Sequence, residues 1–489
     1  MDSRGCGILL PVFSLPSPYG IGTLGKEAFA FIDFLERGRQ KYWQILPVGP
    51  TSYGDSPYQS YSIYAGNPYF IDLDLLAEEG LLKEEELPQK EPSEKIDYEK
   101  LYLTRYGILK CAFKRFDRKD KQFLAFLKQE EEWIEDYALF MSLKDANEGK
   151  SWNLWENPYR DRTKEGLASA GKEFQEEILF WEFLQYKFFQ QWKAVKKYAN
   201  EKGIKIIGDI PIYVAYDSVD VWAAPQYYEL DEEKNPVNVA GCPPDGFSAT
   251  GQLWGNPLYN WEFMKKEDYA WWVRRLRSAT TMYDIVRIDH FRGFESYFAI
   301  PFGSETAAEG TWRKGPGMEL FHAVEKQLGK KELIAEDLGY LTPQVEKLLK
   351  DSGYPGMKLL QFAFDSREAG NYLPHHYVKN SVVYIGTHDN DTALGWVDAL
   401  TYRDVKAMLA YLNLDNDRDI VWKLIRIAMG TVCNTAIFMM QDLLELGSEA
   451  RINTPSTLGK NWRWRMKEEV LSETLADKLA ELVRMYERC

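Results

Sequence analysis

Several apolar runs in this chain end in acids, and those acids carry the chemical signal. Arg287 and Asp289 stand two apart in VRIDH, so in a strand both side chains point to one face. A guanidinium beside a carboxylate favours the ionised form. An ionised, oriented carboxylate is what nucleophilic attack on an anomeric carbon requires. The same two residues would also serve as a buried ion pair that only stabilises the fold. Glu336 closes a second run, and partial burial among other carboxylates suits it to general-acid work. Its alternative is a strand-end acid capping the next helix, the role expected of its neighbour Asp337. His388 and Asp389 set a donor beside an acceptor, able to grip vicinal hydroxyls; a turn or a metal pair would use the same types. Asp209 ends a further run, in GDIP. A metal is the less attractive reading, because the five histidines (290, 322, 375, 376 and 388) show no HExxH spacing. His375 and His376 receive no role.

For these acids to work together, neighbouring strands must deliver them to one rim. Eight short runs rich in Val, Ile, Leu and Tyr read as strands: 7–12, 42–48, 205–212, 283–289, 332–337, 357–362, 382–389 and 435–443. Continuous rather than alternating apolar residues suit parallel strands buried on both faces. Helical patterns lie between several of them, as at 26–38 with its glycine stop and 342–349 with its Thr-Pro start. The alternation predicts an α/β fold: a single catalytic (β/α)8 TIM barrel over 1–489, with functional residues at the C-terminal strand ends. Uneven strand spacing demands insertions. A mainly helical one is expected at about 65–195 after the second strand, and a loop-rich one at about 213–280 after the third. Two loops rich in aromatic residues and glycine, 50–60 and 243–257, are expected over the acidic rim as stacking platforms.

Composition narrows the partners. With 489 residues, 45% hydrophobic and 27% charged, the chain is no disordered segment, disulfide miniprotein or fibrous repeat. Sixty basic against 74 acidic residues leave a net charge of −14, which disfavours nucleic acid and suits an uncharged substrate. Aromatics at 15% suit the apolar faces of sugars, although a large core uses them equally. Five scattered cysteines without a CxxC, and a start without an apolar segment behind a basic flank, point to a reduced cytoplasmic setting. No apolar run of about 18 residues occurs, so no membrane partner is expected.

Taken in order, RGCGILLPVFSLPSPYGIGTLG, GDIPIYV, PPDGFSATGQLWGNP, RIDHFRGF, AEDLG, GTHDNDT and NTPSTLGKNWRWR resemble the motifs of the amylomaltases. These are 4-α-glucanotransferases, or disproportionating enzymes, of the α-amylase clan, and the likeness covers nearly the whole chain. It implies transfer of α-1,4-glucan segments from a donor maltooligosaccharide or glucan to the 4-hydroxyl of glucose or another glucan, by retaining double displacement. It implies Asp289 as nucleophile, Glu336 as general acid/base and Asp389 as the third carboxylate. It also implies that Arg287 and His388 bind substrate beside them. Asp209, Tyr58, Phe247, Gln252 and Trp254 match active-site and lid positions, and Asn453 a C-terminal segment near the cleft. The 243–257 loop is expected to close over bound glucan and exclude water. Retaining chemistry places the two working carboxyls about 5 Å apart. No cofactor and no metal are implied, and a monomer or weak homodimer is expected. One departure is Ser456, which stands where the family's motif has glycine. Another is the lack of a histidine just after Asp209, which sets the chain apart from ordinary α-amylases. Two rivals stay open: an α-1,4-glucan hydrolase and a non-catalytic glucan-binding protein.

Overall fold

The computed structural model describes residues 3–489 except 53, 91–92, 245–249, 340 and 367–371. In chain order the strands are β1 (Gly5–Leu9), β2 (Tyr42–Gln44), β3 (Lys205–Pro211), β4 (Asn238–Cys242), β5 (Gln252–Pro257) and β6 (Ile285–Asp289). They continue as β7 (Ser296–Pro301), β8 (Thr311–Lys314), β9 (Leu333–Ala335), β10 (Gly356–Leu359), β11 (Ser381–Tyr384) and β12 (Thr435–Met439). Eight of them form one parallel sheet in the order β10-β11-β12-β1-β2-β3-β6-β9. The ring closes beyond the last ladder, where Ala335 N–H donates to the Pro355 carbonyl at 2.9 Å. The TIM barrel expected from sequence is present, and each predicted run overlaps one of its strands.

Side-chain alternation explains the barrel's two cores. Leu9, Tyr42, Ile207, Ile285, Ile334, Met357, Leu359, Val382, Tyr384, Ile437 and Met439 fill the interior, with every barrel strand contributing. Their neighbours Ile8, Trp43, Ile206, Val286, Ile288, Val383 and Phe438 pack outward into the larger core under the helices. Because 285 points inward, 287 and 289 on the same strand do so too.

Between β2 and β3 lie helices Tyr98–Arg115, Lys121–Gln129, Ile134–Ala146 and Gln175–Glu201. Asp97 and Asp120 cap two of them by accepting backbone N–H groups of the first turn. Much of the aromatic surplus is core here: Phe116 meets Phe123 at 5.2 Å and Phe183 at 4.9 Å between ring centroids. The longest helix also grips the segment after β2. The buried Gln185 side chain bonds both N–H (2.7 Å) and C=O (2.9 Å) of Gly66, and Gln191 does the same for Asp72. That anchors the chain carrying Tyr58.

Sequence alone suggested loops over 213–280. Part of that stretch instead supplies β4 and β5 to an antiparallel sheet of order β5-β4-β7-β8. β4 pairs with β7, as in Asn238 opposite Pro301, so the partner lies far along the chain and leaves no local periodicity to read. This sheet stands beside the C-terminal end of β6, over the barrel mouth. Among the described residues no helix is long and apolar enough to cross a membrane.

Candidate active site

Register brings the charges together. β3 and β6 pair in parallel with Asp209 opposite Arg287 and Pro211 opposite Asp289. Arg287 Nη1 donates to both oxygens of Asp209, at 2.9 and 2.7 Å. Its Nη2 lies 3.0 Å from Asp289 Oδ1. Arg287 is only 3% exposed, so one buried cation bridges two carboxylates. On the other side β9 pairs with β6, Ala335 opposite Ile288. One step further, the Glu336 N–H donates to the Ile288 carbonyl at 3.1 Å, which sets Glu336 beside Asp289.

Glu336 is oriented by main chain alone. His290 N–H donates to its Oε2 at 2.7 Å and Leu338 N–H to its Oε1 at 2.8 Å. His290 takes a left-handed backbone (φ +53°), uncommon for a non-glycine residue, and that turn aims its N–H at the carboxyl. Burial raises the pKa of both Asp289 and Glu336; the Arg287 charge is the main opposing influence on each. Two adjacent acids with raised affinities titrate together, and a shared proton then persists toward neutral pH. Arg287 touches Asp289 directly and two backbone N–H groups face Glu336, so each acid has its own influence favouring the ionised form. Burial also lowers His290, to about 3, and His388, so both rings are neutral.

Asp389 faces this pair from the seventh barrel strand's end, past β11. Its side chain is 43% exposed, with Oδ2 at 3.4 Å from His388 Nε2. Asn453 Nδ2 donates to its Oδ1 at 2.6 Å. Tyr58 bridges the halves: its hydroxyl donates to Asp209 Oδ2 at 2.8 Å and its ring stacks on His388 at 5.2 Å. From β5, Trp254 presses edge-on against the His290 ring at 4.8 Å, and its Nε1 donates to Gln252 Oε1 at 3.0 Å. Ten of the eleven residues singled out from sequence thus fall in one connected network. Phe247 lies outside the described residues. Asp337 caps no helix. Its Oδ1 accepts the Met357 N–H at 2.6 Å and its Oδ2 faces Lys358 at 3.5 Å, pinning β9 to β10, while Thr342 caps the following helix. Ser456 adopts φ +62°, the left-handed conformation that glycine takes freely. Among the described residues no group of three or more His, Cys, Asp or Glu is placed to hold a metal ion.

A family model described as 4-alpha-glucanotransferase matches residues 10–472. The chain belongs to that family. Among its relatives, the 4-alpha-glucanotransferase of Clostridium butyricum is 49% identical over 98% of this chain and 99% of its own. That of Streptococcus pneumoniae is 47% identical over 100% of this chain and 98% of its own. A solved amylomaltase from Streptococcus agalactiae, in complex with acarbose, superposes with a TM-score of 0.96 at 42% identity, covering 99% of each chain. As a member of the 4-alpha-glucanotransferase family the chain is an enzyme, and transfer is favoured over the hydrolase alternative.

Beyond the residues singled out from sequence, the structure of this 4-alpha-glucanotransferase family member places three more around its acids. Arg451 donates through Nη2 to the Asp389 carbonyl (2.8 Å) and through Nε to the Asn453 carbonyl (2.8 Å). Trp462 stands 5.9 Å from the Tyr58 ring and 6.0 Å from the His388 ring. His290 supplies the N–H on Glu336. For His290 the signal was its place directly after Asp289. Trp462 lies within the NTPSTLGKNWRWR motif but was not singled out in it, and Arg451 stands two residues before that motif with nothing in its own spacing to mark it.

Proposed function

We propose that the chain transfers α-1,4-glucan segments between maltooligosaccharides by retaining double displacement. Asp289 Oδ1 is held by Arg287, leaving Oδ2 to attack the anomeric carbon. As that C–O bond forms, the glycosidic C–O bond breaks, and the leaving 4-oxygen takes the proton of Glu336. The Glu336 carboxylate then accepts the proton of an acceptor 4-hydroxyl, whose oxygen displaces Asp289 and regenerates the α-1,4 bond. Asp389, steadied by Asn453 and His388, binds ring hydroxyls and stabilises the positive charge that develops on the ring. Tyr58, Arg287 and Asp209 form the floor of the donor site. Trp254 and Gln252 overhang the acids and exclude water, so that an acceptor sugar outcompetes hydrolysis.

The observation that carries this reading is Arg287 bridging Asp209 and Asp289 next to an acid, Glu336, held by two backbone donors. The test is incubation with maltotriose. A transferase yields glucose and a ladder of longer maltooligosaccharides with retained α configuration; only shorter sugars, or inverted products, would overturn it. The chain is further proposed to act as one catalytic unit in the cytoplasm, monomeric or weakly dimeric, without cofactor.

A further inference from the structure

The sixth barrel strand, β10, carries Gly356, Met357 and Lys358. β9 and β10 stand at the two ends of the sheet order, so they meet where the ring closes. At that seam the Met357 N–H donates to Asp337 Oδ1 at 2.6 Å, and Asp337 directly follows Glu336. Gly356 makes the approach possible, because a Cβ there would stand 2.6 Å from Asp337 Oδ2. Lys358, 3.5 Å from the same oxygen, offsets its charge. Met357 itself is fully buried and points into the barrel interior. Its sulfur lies 3.4 Å from Arg287 Nε, which donates to it. One residue thus touches the supports of both acids, through its backbone on the Glu336 side and through its side chain on the Asp289 side.

The sulfur contact completes the hold on Arg287. Nη1 is spent on Asp209 and Nη2 on Asp289, and Nε is the third nitrogen of the plane. A planar guanidinium held at all three nitrogens cannot swing within its plane. Without the sulfur, two contacts to Asp209 against one to Asp289 would draw the cation toward β3. A thioether is a weak acceptor. It satisfies a buried N–H without adding a third negative charge, whereas a carboxylate in its place would compete for the cation. The unbranched methionine stem also reaches from β10 past β9 to β6, which a shorter or β-branched side chain would not do.

We infer that Met357 is a positioning residue of the transfer reaction: its thioether sets the Arg287 plane, and Arg287 then presents Asp289 with one oxygen held and the other free. This rests on the proposed glucan transfer with Asp289 as nucleophile. Met357→Leu removes the acceptor at nearly constant volume, a swap that cores tolerate. It is expected to lower kcat for maltotriose disproportionation about 3- to 10-fold, with KM within about twofold of wild type. The acid limb should move to higher pH, because Asp289, faced by Arg287, Asp209, Glu336, Asp389 and Tyr58, loses part of the Arg287 charge. In an Arg287→Lys background, which has no Nε–H, the same substitution should cost nothing further. A second readout is spectroscopic. With arginine labelled for nitrogen NMR, the Nε–H resonance that disappears in Arg287→Lys should shift in Met357→Leu. An unchanged kcat and acid limb, an equal loss in both backgrounds, or an unmoved resonance would overturn the role. Wild-type enzyme that produces no ladder from maltotriose would sink the transfer reading instead, while the resonance would still decide on Met357.

Discussion

Arg287→Lys is expected to lower kcat for maltotriose disproportionation about 10- to 200-fold. Arg287 spends one nitrogen on both oxygens of Asp209 and another, 3.0 Å away, on Asp289. A lysine ammonium is a single point donor and cannot span both carboxylates. If it stays with Asp209, the pair with more contacts, Asp289 loses one charge-assisted bond. Such a bond is worth roughly 1.5–3 kcal/mol. At about 1.4 kcal/mol per tenfold in rate, that converts to the range above. The pH profile adds a second readout. Burial already raises Asp289, and the Arg287 charge is the main influence holding it down, so drawing that charge away toward Asp209 raises it further. The nucleophile works ionised, so activity falls as pH drops through its pKa, and the acid limb must move to higher pH. Initial rates of glucose release from saturating maltotriose, measured between about pH 5 and 9, report both effects, with near-UV circular dichroism as the folding control. A folded variant with kcat within threefold of wild type and an unmoved acid limb would refute the bridging role.

Asp289→Asn should abolish the maltotriose ladder, by at least about a thousandfold, because an amide is not a nucleophile for this step; residual disproportionation would identify another nucleophile. Asn453→Ala removes the donor 2.6 Å from Asp389 Oδ1. A loss of about 1 kcal/mol predicts roughly a fivefold fall in kcat/KM, and unchanged steady-state kinetics would count against that contact. Trp254→Ala should raise the ratio of reducing ends released to glucan transferred, and an unaltered ratio would dismiss water exclusion at that site. Asp220 is buried, accepts the Ile63 N–H at 2.9 Å and is pushed up to about 7. A raised acid stabilises the fold most at low pH and loses that contribution as pH rises from about 4 to 7. Asp220→Asn should therefore gain on wild type between about pH 4 and 7, by at most about 4 kcal/mol, visible as a Tm difference that widens over that range; a constant difference rejects the titration.

How much of this was legible depends on where the chemistry sits. The barrel was readable because each strand is a short apolar run, and the acids because they end such runs: Asp289 follows Ile288, and Glu336 follows Ala335. Period two placed Arg287 and Asp289 on one face without any tertiary knowledge. That Asp209 is the second partner of Arg287 needed the β3–β6 register, which no local pattern encodes. The antiparallel sheet escaped for the same reason, since β4 and β7 are ordinary segments until they pair. Asp337 was misjudged because strand direction explains its inward-or-outward choice but not that the Met357 N–H waits for it.

The C-terminal segment is the sharpest case. Asn453 was recognisable only through its motif, and Arg451 not at all, yet together they make three contacts with Asp389 and His388, two of them to main-chain carbonyls. Carbonyl acceptors exist at every residue, so sequence cannot say which one a distant arginine will choose. Asp289 and Glu336, the proposed nucleophile and acid/base, are by contrast specified by side-chain type at the ends of adjacent strands. The proposed reacting pair is thus written into the barrel, whereas Asp389 is positioned by chain that follows the last barrel strand. Variation at 451–462 is therefore expected to alter substrate grip at Asp389 while leaving the Asp289–Glu336 pair intact.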